Sequence, residues 1–262
     1  MTTTNPPTPA HAEAKLRLCA GRRGRAGLTF WAHLFKALTR QHHLELIPIL
    51  RPVLPEDGVV FDVGAHAGQM AKLFAIMAPR GHVYAFEPGA YALSILRPMV
   101  RLRGRGRISI DPIAFGAAPG SLTLSTPIKK SGSLGFGLSH LGEGGEGGNV
   151  YSHEVAVETV DRYVAAKGLT RLDLIKADIE GWEMQLLLGA TDTLARLRPV
   201  VFLEVVDVYL ARAGDSRAAL WAFMRECDYR PHRLEPGLPS FDPEADGDVV
   251  WVPEERAQVI DL

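Results

Sequence analysis

Cysteine is nearly missing from this chain: of 262 residues only Cys19 and Cys227 carry a thiol. They lie far apart and form no C-x-x-C metal or redox spacing, so they read as free thiols in a reducing compartment. Long apolar runs are missing too. No stretch reaches the about 18 to 20 residues that a membrane span needs, and the opening Thr, Asn and Pro residues lack the basic-then-apolar pattern of a secretion signal. A cytoplasmic location without a membrane partner is the expectation. An excess of charge of either sign is missing as well, with 29 Lys and Arg against 30 Asp and Glu and a net value of -1. No global positive field favours nucleic acid and no global negative one excludes it, and no nucleic-acid partner is expected.

What is present suffices for one full-sized core, since 47% of residues are hydrophobic and 23% charged. The economical division is a disordered Thr/Pro-rich tail over 1–12, a helical extension over 13–52 and a main domain over 53–262 with a Gly-rich loop at 131–149. In the extension, Leu28, Trp31, Leu34, Phe35 and Leu38 recur at spacings of three and four beside Phe30. That helix pads a sheet, roofs a site or joins a homodimer. The basic residues ahead of it, Lys15, Arg17, Arg22, Arg23 and Arg25, read as a solvated face.

The main domain is organised around Val59–Gln69, a buried strand that ends in a small-residue turn, and the helix of Met70–Met77 that follows. In a parallel sheet such a junction sits at the carboxyl end of the strand, where open α/β folds bind ligands. Gly64 and Gly68 allow a sharp turn and close approach, and the new helix offers N–H groups to an anionic or carboxylate-bearing cofactor. Asp62 argues that the same pocket also meets positive charge or several donors.

His82–Glu87 supplies a second strand. Glu87 lies 25 positions beyond Asp62, near the spacing at which a βαβ carboxylate accepts ribose hydroxyls. Pro88 turns the chain into a helix that buries Ala92, Leu93, Ile95, Leu96 and Met99. Ile108–Gly116 reads as a third strand and places Asp111 to Ala114 beside a nucleobase. Ser121–Thr126 and Glu154–Thr159 alternate as small strands outside the main sheet. Between them Gly132–Gly148, with Phe136, His140 and Glu143, is either a surface excursion or a cover that orders over substrate.

Asp161 is expected to start a short helix that stops at Gly168. Leu172–Glu183 is a strand that releases acidic groups at its end, followed by a helix over Met184–Ala190. Pro199–Val205 is a further strand ending near Glu204. Two neighbouring parallel strands that each deliver a carboxylate form a divalent-cation or acid/base site. Ala218–Cys227 is an amphipathic helix, Gly247–Pro253 a final edge strand, and His232–Asp246 a rim loop. The sum is an α/β, doubly wound fold.

Three blocks carry a resemblance: Val60–Gly68, Val83–Pro88, and Ile175–Glu183 with Leu186 and Gly189–Ala190 after it. Together they resemble the FkbM-type family of S-adenosylmethionine-dependent methyltransferases, and the Lys-x-Asp-x-Glu-Gly block is the most specific of the three. Family members usually carry Ile or Val in place of Ala177, and often Asn at His66 or Ile at Ala67. Neither difference removes a group the chemistry requires. The resemblance implies a class I, Rossmann-like methyltransferase domain with a mostly parallel seven-stranded sheet, behind an N-terminal helical extension. It also implies transfer of a methyl group from S-adenosylmethionine to a hydroxyl of a small molecule, a sugar or secondary metabolite.

On that reading Asp62, Gly64, Ala65, His66, Gly68, Glu87, Pro88, Asp111, Ala114 and Asp178 bind the cofactor, with Asp62 at its amino acid end and Glu87 on the ribose. Asp178, Glu180 and Glu204 are the catalytic candidates. Asp178 and Glu204 are also the candidate ligands for a Mg²⁺ ion that would acidify the acceptor, and otherwise Glu180, His140 or His153 takes the proton. Lys176 is expected beside a carboxylate that it neutralises. An NAD-dependent oxidoreductase shares the βαβ unit but requires a G-x-G-x-x-G turn, which Gly64–Gly68 is not. A non-catalytic scaffold leaves Asp62, Glu87, Asp178 and Glu204 without a task.

Overall fold

The computed structural model describes residues 25–104, 106–127, 140–141, 150–233 and 245–259. Its first helix, α1 (Arg25–Thr39), leads through a 3-10 turn into the single-turn α2 (Ile47–Leu50). The alternating units β1 (Val59–Val63), α3 (Gln69–Met77), β2 (His82–Phe86), α4 (Ala90–Arg103) and β3 (Ile108–Asp111) come next. Four short strands follow: β4 (Ala114–Phe115), β5 (Gly120–Pro127), β6 (His140–Leu141) and β7 (Val150–Glu158). The chain then runs through α5 (Val160–Lys167), β8 (Leu174–Ala177), α6 (Glu183–Leu188), α7 (Thr191–Arg196) and β9 (Val200–Val205). It closes with α8 (Asp207–Arg212), α9 (Arg217–Glu226), β10 (Tyr229–Arg233) and β11 (Gly247–Pro253).

Seven strands form the main sheet in the order β10-β11-β9-β8-β1-β2-β3. All neighbours pair in parallel except β11, which is antiparallel to both β9 and β10. The order reverses between β1 and β8, and this switch point opens a crevice at the carboxyl edge. Along β1 the pleat sends Val60 into one core with α1, α3 and α4, and Phe61 and Val63 into the other with α5, α7 and α9.

The same alternation puts Asp62 on the face of Val60 and Lys176 on the face of Leu174. Register makes those two direct cross-strand partners. Glu204, opposite Asp248, continues the polar row along that face near the carboxyl edge. The smaller sheet, ordered β4-β7-β5-β6, is held by the long antiparallel β5–β7 pair and buries Ala114, Leu124, Val155 and Val157.

Several boundaries differ from the sequence reading. The third strand is split: Pro112 has no N–H to give a ladder, and beyond it β4 leaves the main sheet to pair with β7. The terminal strand β11 is interior, and β10, with Pro231, is the edge that covers it. Helix α5 is capped by the Thr159 hydroxyl, which accepts from the Arg162 N–H, while Asp161 instead accepts from Asp192 and Thr193 at the start of α7. In α1 the inward face is Leu34 and Ala37, with Phe30 and Leu38 partly buried, and Trp31 and Phe35 point outward. The 1–12 tail, residues 13–24, most of the Gly-rich segment and residues 234–244 of the rim loop lie outside the described residues.

Candidate active site

The turn after β1 is stitched to the end of β2 by its own backbone. The N–H groups of Gly64 and Ala65 both donate to the Phe86 carbonyl, at 3.0 Å each, and Gly68 donates to Ala65 at 2.7 Å. His66, at φ 48°, donates its N–H to Glu87 Oε2 at 2.8 Å. These four donors are spent on protein acceptors, while Gln69 and Met70, in the first turn of α3, which has no side-chain cap, line the cavity. Gly64 has φ +73°, and a Cβ there would lie 2.0 Å from the Asp178 carbonyl, so the turns after β1 and β8 pack backbone against backbone. Gly68 serves packing: its Cβ would meet Met99 Cε at 2.0 Å and Leu96 at 2.6 Å.

Above these turns lies a cavity of about 380 Å³, within the range of about 300 to 1,000 Å³ usual for small-molecule sites. Gly64, Ala65, His66, Glu87, Pro88, Ala114, Asp178 and Glu180 line it, as does His153. Asp62, Gly68, Asp111 and Glu204 do not. Asp62 is sealed beneath the floor, fully buried, and Asp111 accepts the Tyr163 hydroxyl at 2.5 Å. The side chain of His140 lies outside the described residues. Sequence reading did not single out Tyr91, which lines the wall and bonds His33 of α1 at 3.2 Å. Nor did it find His43 or Leu124. A lone Tyr, His or Leu with no motif around it gives no signal in one sequence.

β2 and β8 flank β1 on opposite sides, so the cavity has two chemically different ends. At the β2 end stands Glu87, its two oxygens braced by the N–H groups of His66 and of Gly89, the latter at 2.7 Å. Burial lifts this carboxyl to about 7, against the pull of those two donors. Each oxygen keeps a lone pair for a hydroxyl donor.

At the β8 end Lys176 is the central charge. Its ammonium lies 3.6 Å from Asp62 and 3.7 Å from Asp178, near the carbonyls of Val63 and Gly64. Burial alone would lower the lysine, but Asp62, Asp178, Asp248 and Glu204 raise it above its ordinary value, so it keeps its proton. The expected neutralising role is what this geometry performs.

The turn that follows β8 is clamped from three sides. Glu180 at φ 56° and Gly181 at φ 102° are both left-handed. Glu183, almost fully buried, accepts the N–H groups of Ile179 at 3.2 Å and Gly181 at 3.3 Å. From α8, Arg212 donates to the Glu180 carbonyl at 2.9 Å, and the Tyr209 carbonyl packs so close to Gly181 that a Cβ would lie 2.1 Å away.

The clamp holds the Glu180 side chain in the cavity wall. Burial, then Asp178, raises Glu180 to about 7. Burial, then Asp178, raises Glu204 to about 8, and Glu204 stands behind Asp178 rather than in the wall. Asp178 already faces the Lys176 ammonium at 3.7 Å, and Glu204 lies outside the cavity wall, so the pair does not present two free carboxylates to a divalent cation. Among the described residues no group of three or more His, Cys, Asp and Glu is placed to hold a metal ion. No helix among them is long and apolar enough to cross a membrane.

Residues 62–231 match the model of the methyltransferase FkbM domain family. Among curated proteins, the AMB antimetabolite synthetase AmbE of Pseudomonas aeruginosa is 33% identical over 190 residues, covering 59% of this chain and 9% of AmbE. The 2-O-methyltransferase NoeI of Sinorhizobium fredii is 26% identical, covering 63% of this chain and 69% of NoeI. The hexuronic acid methyltransferase AglP of Haloferax volcanii is 24% identical, with 60% of each chain covered. This chain therefore spans under a tenth of AmbE and under two thirds of AglP. A crystal structure of methyltransferase FkbM from Methylobacillus flagellatus aligns with 87% of this chain and 60% of that one, at a TM-score of 0.47 and 14% identity.

Proposed function

We propose, from the premise that this chain belongs to the FkbM methyltransferase domain family, that it is an S-adenosylmethionine-dependent O-methyltransferase acting on a hydroxyl of a sugar or secondary metabolite. The observation that carries the reading is the two-ended cavity at the switch point, with a braced buried carboxylate at one end and an ammonium-balanced carboxylate pair at the other. The cofactor would supply an electrophilic methyl on a sulfonium. Glu87 would accept the ribose hydroxyls, Ala114 and its neighbours would wall the base, and Asp178 would meet the amino acid end. Asp62 acts through Lys176, whose position it fixes, and does not touch the ligand.

Displacement at carbon asks the protein above all for alignment, which is worth about 7 to 11 kcal/mol when complete. The clamp on the 178–181 turn supplies rigidity on the acceptor side. A hydroxyl nucleophile also sheds a proton, and Glu180, in the wall and poised near neutrality, receives it. Glu204 tunes Asp178 from behind. The name of NoeI supports a hydroxyl acceptor.

Calorimetry with S-adenosylhomocysteine tests the cofactor half. The expected result is saturable binding that weakens at least about tenfold in Glu87→Ala, the loss of one to two charge-assisted hydrogen bonds. Equal affinity in that variant would remove Glu87 from the site, and no binding by the unaltered protein would sink the reading.

A further inference from the structure

The helices that flank the main sheet divide by charge as well as by position. On one side α1, α3 and α4 pack into the core that holds Leu34, Phe74 and Leu96. Their sequences contain no Asp or Glu, against Arg25, Lys36, Lys72, Arg97, Arg101 and Arg103. On the other side each of α5 to α9 carries a carboxylate, Asp161, Glu183, Asp192, Asp207 and Glu226 in turn, so charge there is mixed. In a chain of net charge -1, positive field is thus concentrated on the first face.

The three helices form one outer surface because they are pinned together. Lys72, buried, donates to the carbonyls of Ala37 at 2.8 Å and Arg40 at 2.6 Å, which ties the end of α1 to α3. Phe30 meets Tyr91 of α4 edge to face, with 6.4 Å between ring centroids. Outward from these contacts Lys36, Arg40, Arg97, Arg101 and Arg103 are all exposed. Among the described residues none of the five forms an ion pair or a side-chain hydrogen bond.

The same surface carries large apolar side chains. Trp31 is 65% exposed and Phe35, one turn on, 67%, while Leu102, between Arg101 and Arg103, is 65% exposed and Ile76 of α3 53%. These are four of the seven exposed large apolar residues among those described, so the apolar and the cationic features coincide. Single apolar residues scattered over a surface are ordinary. Aromatic and aliphatic side chains interleaved with Arg and Lys on adjacent helices instead match a surface that lies in the headgroup layer of a bilayer. A nucleic acid would answer the charges but would give Leu102 and Ile76 nothing, since flat rings are what stack on bases.

We propose that the outer face of α1, α3 and α4 docks peripherally on an anionic phospholipid bilayer, with Lys36, Arg40, Arg97, Arg101 and Arg103 at the headgroup phosphates and Trp31, Phe35 and Leu102 at the acyl boundary. The want of a helix long enough to cross a membrane bears on spanning alone, and a surface contact needs none. The inference is independent of the reaction.

The test sediments the full chain with vesicles of phosphatidylcholine alone, or of phosphatidylcholine and phosphatidylglycerol in equal parts, at physiological ionic strength. The expected partition onto the mixed vesicles is at least about tenfold above that onto the neutral ones and falls as salt is raised. Arg97→Glu with Arg101→Glu cuts it at least about tenfold, and Trp31→Ala with Phe35→Ala at least about fivefold. Arg196→Glu with Arg225→Glu makes the same change in net charge on the opposite layer and leaves the partition within about twofold. Thermal unfolding checks that each variant is folded; should the first pair unfold, Arg97→Gln with Arg101→Gln takes its place, with a severalfold loss expected. Equal partition onto both kinds of vesicle, no loss in either face variant, or an equal loss in the opposite-layer pair would overturn the proposal. So would tighter binding to an RNA oligonucleotide than to the mixed vesicles, or a dimer in the analytical ultracentrifuge that leaves vesicles unbound, which would assign the face to a second copy of this chain.

Discussion

Replacing Lys176 with Met strands a carboxylate where water cannot reach it. Asp62 is fully buried, and Lys176 is its ion-pair partner 3.6 Å away. Burial already pushes Asp62 above the ordinary carboxylate range with the ammonium in place. Without it the acid stays protonated in the fold. Holding an acid of ordinary pKa about 3.9 neutral at pH 7 costs about 4 kcal/mol relative to the unfolded chain, at about 1.36 kcal/mol per pH unit. That agrees with the about 3 to 5 kcal/mol lost when one member of a buried pair is removed.

The sign follows from linkage. A carboxyl raised in the folded state destabilises more as pH rises, so the loss shrinks to about 1.5 kcal/mol at pH 5. In the intact pair the raised lysine holds its proton, and its contribution is lost only as pH climbs through the elevated lysine value. Thermal unfolding of cofactor-free protein, followed by circular dichroism, should fall by about 8 to 16 °C in Lys176→Met at pH 7 and by less than half of that at pH 5. Adding Asp62→Asn removes the stranded acid and restores most of the loss. Equal drops at the two pH values, or no recovery in the double variant, would refute the argument.

Three further outcomes follow from the turn after β8 and its carboxylates. If Glu180 takes the proton, kcat falls about tenfold per unit below pH 7 and the limb disappears with the activity in Glu180→Gln, whereas Glu204→Gln leaves a limb near 7; a limb near 8 that vanishes in Glu204→Gln would move the base there. Gly181→Ala forces a Cβ to 2.1 Å from a backbone carbonyl at φ +102°, and neither can give way. Urea denaturation should register a loss of about 1 to 3 kcal/mol, and an unchanged midpoint would mean that the turn is not clamped. Glu183→Gln keeps an oxygen for the N–H groups of Ile179 and Gly181 and should retain most of kcat, whereas Glu183→Ala frees both donors and loses kcat with little change in cofactor affinity. Equal activity in the two variants would leave Glu183 a packing residue only.

The parallel core was legible because its strands are local and apolar enough to read without partners. Val59–Val63, His82–Phe86, Leu174–Ala177 and Val200–Val205 all fall where the dense runs placed them. What failed depends on partners that are distant in sequence. Tyr229–Arg233, broken by Pro231, becomes a strand only because β11 offers it a ladder, and Gly247–Pro253 reads as an edge until that ladder is known. Trp31 and Phe35 fit an apolar stripe as well as Leu34 does, and only the position of α4 decides which stripe turns inward. Asp161 is as good a cap as Thr159 in composition, and it does cap a helix, though that helix begins thirty residues later.

In the site, the residue types were legible and the reach of each was not. The spacing Lys-x-Asp-x-Glu-Gly-x-Glu mixes two periods: β8 sends Lys176 into the cavity floor above Asp62, and Asp178 then opens a turn in which Glu180 and Gly181 are left-handed. Period-two reasoning cannot follow a side chain through such a turn, so it could not separate Glu180, which enters the cavity wall, from Glu204, which stops behind it. The turn itself is set by α8, an element with too little apolar periodicity to be read in advance. Its Tyr209 carbonyl makes glycine obligatory at 181, and its Arg212 holds the Glu180 carbonyl. The chemistry at the acceptor end therefore depends on a six-residue helix as much as on the motif, and a substitution such as Arg212→Ala reaches the reacting groups without touching any of them.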